Sequence, residues 1–332
     1  MLSPAYKLTI GSKVVDTTDE PQASTLVDLT VSLDMDTPAD SFALVLGQVG
    51  GLAPALDDEA TIELGFADDG DLTQVITGAV VAVEPGLTTN RVIGHSAAAK
   101  LLRTFAGQTY EGKTAGQILS DLAGQAGVDV ANAEDGITFP AYVVEGRRSV
   151  YRHMRDLAEL CGFDLYINAD GELVFERFIG GNTVHLFTYA EQIVELSARQ
   201  HPPLPNVVEA WGESPGGSQA EEAWAWLTKD FSGAKGSAGS GGAAFLLERS
   251  ALRSAEAARA AATAALSRSQ RRALRGRLHT PGQPQVKLGD AIRLVDAPDS
   301  RLNATFQVRS VQHRITKAGG FTTTIGFQAI SG

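Results

Sequence analysis

The chain has 332 residues, of which 43% are hydrophobic and 20% are charged, a balance typical of globular proteins. Its formal net charge of -11 at pH 7 argues against a body that wraps nucleic acid, because phosphate binding needs clustered Lys and Arg. At ~100 to 200 residues per domain, the length predicts two or three domains, and we expect three modules.

The start of the chain and its cysteine content indicate where the protein folds. The opening MLSPAYKLTI lacks the basic region and apolar core of a signal peptide, and the single cysteine, Cys161, cannot form an internal disulfide. No run approaches the ~18 apolar residues that would span a bilayer. We therefore expect folding in the cytoplasm, with no signal peptide and no membrane anchor.

Residues 1–95 have the pattern of an antiparallel β module. Apolar and polar side chains alternate over residues 27–35, as in a strand with one wet face. Shorter strand-like runs follow at 42–46, 60–66, 75–83 and 91–93, separated by Gly, Pro and Asp. The region is predicted to form a barrel or a sandwich.

Helices enter at Ser96. The run after it has good helix formers and ends at Gly107, a plausible C-terminal stop. Thr114 and Gln117 have the spacing of a capping box, and the apolar residues that follow fall on one helical face. We predict a helix over 115–126.

A second helix followed by a hairpin completes an α+β module over 96–178. The helix is predicted to begin after Ser149 as its N-cap and to stop at Gly162, which places Cys161 in the core. Asp170-Gly171 then lies between two apolar strands and tolerates the backbone angles that a hairpin turn requires.

Residues 179–332 predict a second β module with two interruptions. Strand-like runs lie at 183–189, 192–198, 206–212, 286–295, 305–316 and 319–328. Residues 213–244 are rich in Gly, Ser and Ala and predict a flexible loop, within which WAWL is a candidate short strand. Residues 251–275 predict an inserted helix whose Arg268, Arg271, Arg272 and Arg275 compensate the helix dipole and form surface ion pairs.

The sharpest enzymatic motif is GQTYEGKT at 107–114, which matches the phosphate-binding pattern GxxxxGK[ST]. A working loop follows an apolar parallel strand, whereas a helix-like segment precedes this one. Tyr110 and Glu111 also put bulk and negative charge where a triphosphate would lie. We interpret Thr114 as a helix cap and Lys113 as a surface residue, with a P-loop nucleotide-binding enzyme as the alternative.

Other catalytic or metal-binding patterns are weak. Histidines stand singly at positions 95, 153, 185, 201, 279 and 313, with no HExxH motif and no second cysteine. His95-Ser96 lacks the G-x-S-x-G arrangement of a nucleophile elbow. Acidic pairs that a glycosidase could use occur at Glu134-Asp135 and Glu221-Glu222, but adjacent acids usually mark wet loops. The sequence predicts no catalytic residue, no cofactor and no metal site.

Three stretches resemble one known family. They are YEGKTAGQILSDLAGQAGV at 110–128, SVYRHMRDLAELCGFDLYINADGELVFE at 149–176, and the strands with Gly-Asp, Val-x-His and Gly-Gly-Phe-x-Thr at 287–327. Together they resemble the phage late control protein D and baseplate hub family, whose fold is shared by the N-terminal half of type VI secretion valine-glycine-repeat spike proteins.

The resemblance implies an α+β, mostly β architecture that assembles as a trimeric ring. The modules would be a first tube-like antiparallel β-barrel at 1–95, an α+β module at 96–178, and a second barrel at 179–332 that carries the loop 213–244 and the helix 251–275. A ring of three chains would present six similar barrels to a sixfold tail tube and stay threefold toward a trimeric spike.

The resemblance also implies a non-enzymatic role in a phage tail or a contractile injection system. The expected partners are two further copies, a tail tube protein, other baseplate subunits and a spike that is a separate polypeptide, since the hub pattern ends near Gly332. The polar face of residues 28–36 is a candidate lining of the ring lumen. A particle-borne cell-wall hydrolase and a soluble carbohydrate-binding protein are rival interpretations.

Overall fold

Most of the described chain is β-strand. The structure is a computed structural model and describes residues 3–19, 25–47, 54–68, 70–203, 205–212, 235–242 and 244–330. The strands are β1 (Pro4–Ile10), β2 (Lys13–Asp16), β3 (Leu26–Asp34), β4 (Ser41–Gly47), β5 (Glu59–Phe66), β6 (Thr73–Pro85), β7 (Thr89–Ser96), β8 (Gln108–Thr114), β9 (Val130–Ala133), β10 (Thr138–Val144), β11 (Asp164–Ile167), β12 (Leu173–Glu176), β13 (Val184–Thr188), β14 (Glu195–Gln200), β15 (Val207–Trp211), β16 (Lys235–Gly239), β17 (Ala244–Glu248), β18 (Leu274–Pro281), β19 (Ala291–Val295), β20 (Thr305–Thr316) and β21 (Gly320–Ala329). The helices are α1 (Ala98–Arg103), α2 (Ala115–Gln125), α3 (Val150–Cys161) and α4 (Ala255–Arg272).

One sheet of 13 strands includes strands from both ends of the chain. Its order is β14-β18-β21-β20-β3-β4-β7-β6-β5-β1-β2, and β19 and β13 branch from β20. Antiparallel pairing of β3 with β20 joins the two regions, with Leu33 opposite Val311. The predicted α+β, mostly β class is confirmed. The two predicted barrels share one sheet, and no closed ring of strands occurs within the described residues.

The two ends of this sheet repeat one strand arrangement. In chain order, β3, β4, β5, β6 and β7 correspond to β14, β18, β19, β20 and β21. Each set has the same order across the sheet (first, second, fifth, fourth, third), and every neighbouring pair is antiparallel. We call the first set unit one and the second set unit two.

Local details match between the units. β6 shifts register against β7 after Val80, and β20 shifts against β21 after Val308. The Val80 amide donates to the Asp58 carbonyl at 2.9 Å, and the Val308 amide donates to the Asp290 carbonyl at 3.0 Å. Each of these aspartates also accepts, at Oδ2, a hydrogen bond from the backbone amide three residues earlier. These bonds fix the residue-by-residue correspondence of β6 with β20.

A matched pair of positions exchanges an aromatic ring and a glycine. In unit one Phe42 lies opposite Gly94, and a Cβ on Gly94 would overlap the Phe42 ring. In unit two the corresponding positions are Gly276 and Phe327, and a Cβ on Gly276 would overlap the Phe327 ring. Each unit therefore fills the same space with one ring, supplied from opposite strands.

A second hydrophobic core lies between the middle module, residues 96–178, and α4, and it contains side chains of all four described helices. The helix α2 has the predicted capping box, since the Gln117 amide donates to Thr114 Oγ1 at 3.2 Å and the Thr114 amide donates to Gln117 Oε1 at 3.3 Å. α3 begins after Ser149, as predicted, although that side chain makes no capping bond, and it ends at Gly162 with φ +72°.

The hairpin after α3 is confirmed. β11 and β12 are antiparallel, and Gly171 in the turn between them has φ +89°.

Cys161 is half-buried at the edge of the second core, where its sulfur accepts a hydrogen bond from the Ile137 amide at 3.4 Å. Burial raises the pKa of this thiol to about 11.

The predicted flexible loop 213–244 is wrong where the structure describes it. Residues 213–234, including WAWL, lie outside the described residues, but Lys235–Gly239 is strand β16, paired with β15. A Cβ on Gly236 would overlap the backbone of α4 at Arg259. Glycine at position 236 therefore lets this strand lie close against the helix.

The predicted helix 251–275 is too long at both ends. α4 begins at Ala255, where the Ser254 side chain accepts a hydrogen bond from the Ala257 amide, and it ends at Arg272. Arg275 belongs to β18, because its backbone pairs with both β14 and β21.

No helix in the described part of the chain is long and apolar enough to cross a membrane.

Candidate assembly surface

The motif at 107–114 does not form a phosphate loop. Residues Gln108–Thr114 are strand β8, paired antiparallel with β10, and Lys113 lies exposed opposite Phe139. The Tyr110 hydroxyl donates to Asp121 Oδ2 at 2.5 Å, and burial together with this bond raises the pKa of Tyr110. Because the backbone amides of a strand point alternately to opposite sides, they cannot converge on one anion.

Five of the six histidines have a hydrogen-bonding partner within the protein. Buried His313 lies 3.0 Å from Thr323 Oγ1, and burial lowers its pKa to about 3. His185 Nε2 lies 2.9 Å from Asp290 Oδ2. The remaining four are His95, buried His153 beside the Glu145 carbonyl, His201 beside the Pro202 carbonyl, and His279 beside Thr324. Among the described residues, no group of three His, Cys, Asp or Glu could hold a metal ion.

The described acidic pair accepts hydrogen bonds from two neighbouring elements. Asp135 accepts a hydrogen bond from the Thr114 hydroxyl at 2.9 Å, and Glu134 accepts one from the Arg177 amide at 3.1 Å. The other pair, Glu221 and Glu222, lies outside the described residues.

Several strand edges in the main sheet lack a neighbour among the described strands, and two of them, on β14 and β6, belong to the repeated units. β14 pairs only with β18 and is largely exposed. β6 is 13 residues long, and β5 covers only its first half, up to Ala79. From Ala82 to Pro85, β6 pairs only with β7. Such edges present free backbone amides and carbonyls, so they are templates for pairing with another chain.

Charged side chains line these edges. Glu84, near the end of β6, forms an exposed ion pair with Arg91 on β7 at 3.2 Å. On the other edge Arg199 of β14 lies directly opposite Arg275 of β18, and Arg277 follows two residues later on the same face. The β14 edge is therefore basic on this face, and the β6 edge carries a carboxylate.

Five large apolar side chains are exposed in the segment that precedes β14. They are Ile179 (90% exposed), Val184 (52%), Leu186 (58%), Tyr189 (43%) and Val194 (67%). Two of them, Val184 and Leu186, lie on β13, whose only partner among the described strands is β19. Val184 and Leu186 are two residues apart on this strand and so lie on one face, and adjoining exposed apolar side chains are typical of protein interfaces.

A charged cluster joins the middle module to the main sheet. Arg309 of β20 donates to Asp164 of β11 at 2.6 Å and to Asp36 at 2.9 Å. Burial opposes the charge on Arg309, but the two carboxylates outweigh burial and raise the pKa of its guanidinium. We call this set, together with Arg155, Glu159, Arg268, Arg271 and Arg272, the junction cluster; it lines a cavity of about 40 Å³.

The arginines predicted to form surface ion pairs belong to this region. Arg268 contacts both the carbonyl and the carboxylate of Glu159, and Arg275 lies 4.0 Å from Asp36. The ion-pair prediction is thus confirmed for these two. The sequence did not indicate that the end of α4 would lie against the joint between sheet and middle module.

The polar face of β3 is a network of paired groups. Asp28 accepts a hydrogen bond from Arg314 of β20 at 2.8 Å, and Ser32 accepts one from Gln312 at 3.2 Å. Asp28 therefore contributes little unpaired negative charge to this face.

Comparison with known proteins shows which solved structures have a similar fold. No family model and no curated protein matches the sequence. Among solved structures, the 43 kDa tail protein of prophage MuSo2 from Shewanella oneidensis is similar with a TM-score of 0.73 at 17% identity, covering 98% of each chain. The tail protein from Neisseria meningitidis MC58 gives 0.70 at 15% identity, covering 98% of this chain and 97% of that one.

A third similar structure comes from a secretion system. It is an E. coli component of the type VI secretion system with structural similarity to T4 bacteriophage tail proteins, with a TM-score of 0.60 at 11% identity, covering 98% of this chain and 77% of that one. The resemblance to the baseplate hub family is confirmed at the level of fold: the chain has the fold of phage tail proteins and of a type VI secretion component.

Proposed function

We propose that this protein is the structural hub of a phage-tail-like particle, and that three copies form a ring between a sixfold tail tube and a threefold spike. The observation that carries the proposal is the repeat of one strand arrangement in units one and two. Three chains contain six such units, so one ring can be close to sixfold on one side and threefold on the other.

The fold supports this role. Similar structures that cover 98% of the chain are tail proteins. The partners are two further copies, a tail tube protein, a spike protein and other baseplate subunits, in a virion, a bacteriocin or an injection particle. We assign 1–95 and 179–332 to the two tube-like barrels, which close in the assembled ring, and 96–178 to the module between them.

We further propose that the protein is not an enzyme. The motif closest to a catalytic signature, 107–114, is a β-strand whose Lys113 is exposed. The separate acidic pair, Glu134 and Asp135, accepts hydrogen bonds from the Arg177 amide and the Thr114 hydroxyl. The hydrogen bonds of these side chains therefore have a structural role.

The test is the mass of the purified chain by light scattering, alone and mixed with the candidate spike protein. A hub gives about three times 34.9 kDa, or a complex of three chains with three spike chains. A mass of one chain at every concentration, unchanged by spike and tube proteins, contradicts the proposal. ATP-dependent thermal stabilisation that is lost in Lys113→Ala would then favour the nucleotide-binding alternative.

A further inference from the structure

Units one and two are joined within the chain by the pairing of β20 with β3. The same kind of pairing between two chains would join their units in the same way. β20 uses its first residues to pair with β19 and its later residues, from Ser310 to Thr316, to pair with β3. β20 is the fourth strand of unit two, and β3 is the first strand of unit one. The chain therefore contains one example of a fourth strand that pairs with the first strand of the next unit.

The corresponding strands at the other ends of the units each have an edge with no neighbour among the described strands. The fourth strand of unit one is β6, whose later residues, from Ala82 to Pro85, have a free edge. The first strand of unit two is β14, whose outer edge is also free among the described strands. These are the two edges that the internal joint would use if it were repeated.

We propose that β6 of one copy pairs antiparallel with β14 of the next copy, with Glu84 directly opposite Arg199. The proposal rests on the hub function above and specifies how its ring is held together. Each chain has one edge of each kind, at opposite ends of an eight-strand run from β14 to β6. The contact is therefore head-to-tail, and a rotation that brings the third copy back to the first closes the ring.

The register follows from the matched units. Because Val80 corresponds to Val308, and the register shift comes just after each of them, Glu84 corresponds to Gln312. Leu196 and Leu29 hold corresponding places, opposite Leu278 and Leu44 in the second strands of their units.

That correspondence places Arg199 where unit one has Ser32. Within the chain, Gln312 lies opposite Ser32 and donates a hydrogen bond to its hydroxyl at 3.2 Å. Repeating this register between chains puts Glu84 opposite Arg199, with Pro85 opposite Ala198.

The chemistry at the proposed contact is complementary. A carboxylate replaces the amide of Gln312, and a guanidinium replaces the hydroxyl of Ser32, so a polar pair becomes an ion pair. Opposite charges directly across a strand pair stabilise the pairing, whereas like charges destabilise it. In a single chain Arg199 lies beside Arg275, a like-charged neighbour that Glu84 of another copy would offset.

Cysteine cross-linking tests the register. Glu84→Cys with Arg199→Cys, in the full chain carrying Cys161→Ala, is oxidised and run on a denaturing gel. Opposed Cβ atoms in a strand pair lie ~4.5 to 5.5 Å apart, within reach of a disulfide or a short bifunctional thiol reagent. The expected product is a ladder that ends at the trimer, and each single cysteine variant gives no ladder.

Two matched pairs control the cross-linking. Gln312→Cys with Ser32→Cys occupies the internal joint, so it cross-links within one chain and adds no mass. Glu84→Cys with Ser197→Cys shifts the register by two residues and gives about tenfold less ladder than the proposed pair. If the shifted pair cross-links as well as the proposed one, the register is wrong.

Charge reversal tests the ion pair independently. Arg199→Glu should weaken self-association about tenfold, and the double variant with Glu84→Arg should restore most of it. Arg277→Glu, on the same face one strand inward, is the matched control and changes association less than threefold.

The outcomes separate the two proposals. A wild-type trimer without the cross-link, or without recovery in the double variant, overturns this strand pairing and leaves the hub function standing. A wild-type chain that stays a monomer with spike and tube proteins present overturns both.

Discussion

The ion pair between Asp164 and Arg309 offers a direct measure of how the middle module is held to the sheet. The carboxylate is 8% exposed and the guanidinium is 15% exposed, so both charges have lost most of their water. Breaking one partner of a buried pair costs roughly 3 to 5 kcal/mol, because the other charge stays buried. Arg309 keeps Asp36 at 2.9 Å, so Asp164→Asn should cost about 3 kcal/mol, the low end of that range.

The assay is urea unfolding followed by circular dichroism at pH 7. Asp28→Asn is the control, because the carboxylate of Asp28 pairs with Arg314 at a similar distance, 2.8 Å, where the guanidinium is 57% exposed. Its loss should cost about 1 kcal/mol or less. If Asp164→Asn destabilises no more than Asp28→Asn does, the burial argument for the junction cluster fails.

Three further changes test the fold. Thr114→Ala removes the helix cap and should lower the free energy of unfolding by about 1 kcal/mol in urea, and Thr114→Ser should retain most of that stability. Gly94→Ala forces a methyl group into the Phe42 ring and should cost at least about 1 to 3 kcal/mol, partly recovered by Phe42→Leu; equal losses with and without the second change would contradict the overlap. Burial lowers the pKa of His313 to about 3 and raises that of Asp40 to about 7. The unfolded state therefore binds more protons at His313 below pH 6.5, so this histidine costs up to about 1.4 kcal/mol per pH unit as the pH falls from 6.5. The folded state binds more protons at Asp40 between about pH 7 and 4, so Asp40 has the opposite effect and offsets most of the His313 loss in the wild type. His313→Gln lacks this loss, whereas Asp40→Asn gains stability relative to the wild type as the pH rises from about 4 to 7; parallel pH curves would refute both assignments.

Local signals predicted local structure well. The helices α2 and α3 follow from capping residues and apolar stripes near in sequence, and the turn at Gly171 follows from two adjacent residues. The strands of residues 27–35 and 305–316 follow from alternation. Each of these depends on neighbours within about ten residues, which periodicity can detect.

The strand edges of the candidate site could not be predicted in this way. Alternation identifies a strand but not its partner, and the pairing of β3 with β20 joins residues about 280 positions apart in the chain. The repeat was also concealed, because Phe42 with Gly94 in one unit becomes Gly276 with Phe327 in the other. A signal did exist: the Asp58 and Asp290 turns each precede a strand, a short connection and a long strand.

The long ladder between β20 and β21 also bears on how the molecule resists force. Its bonds run from Phe306 to Thr316 across a hairpin, and β20 continues without a break from one unit into contact with the other. A load directed along these strands acts on all the bonds of the ladder in shear, so they must fail together. A load across the strands peels the bonds one at a time. The protein would therefore be stiff along its strand direction and weaker across it, a mechanical anisotropy set by the direction of its hydrogen bonds.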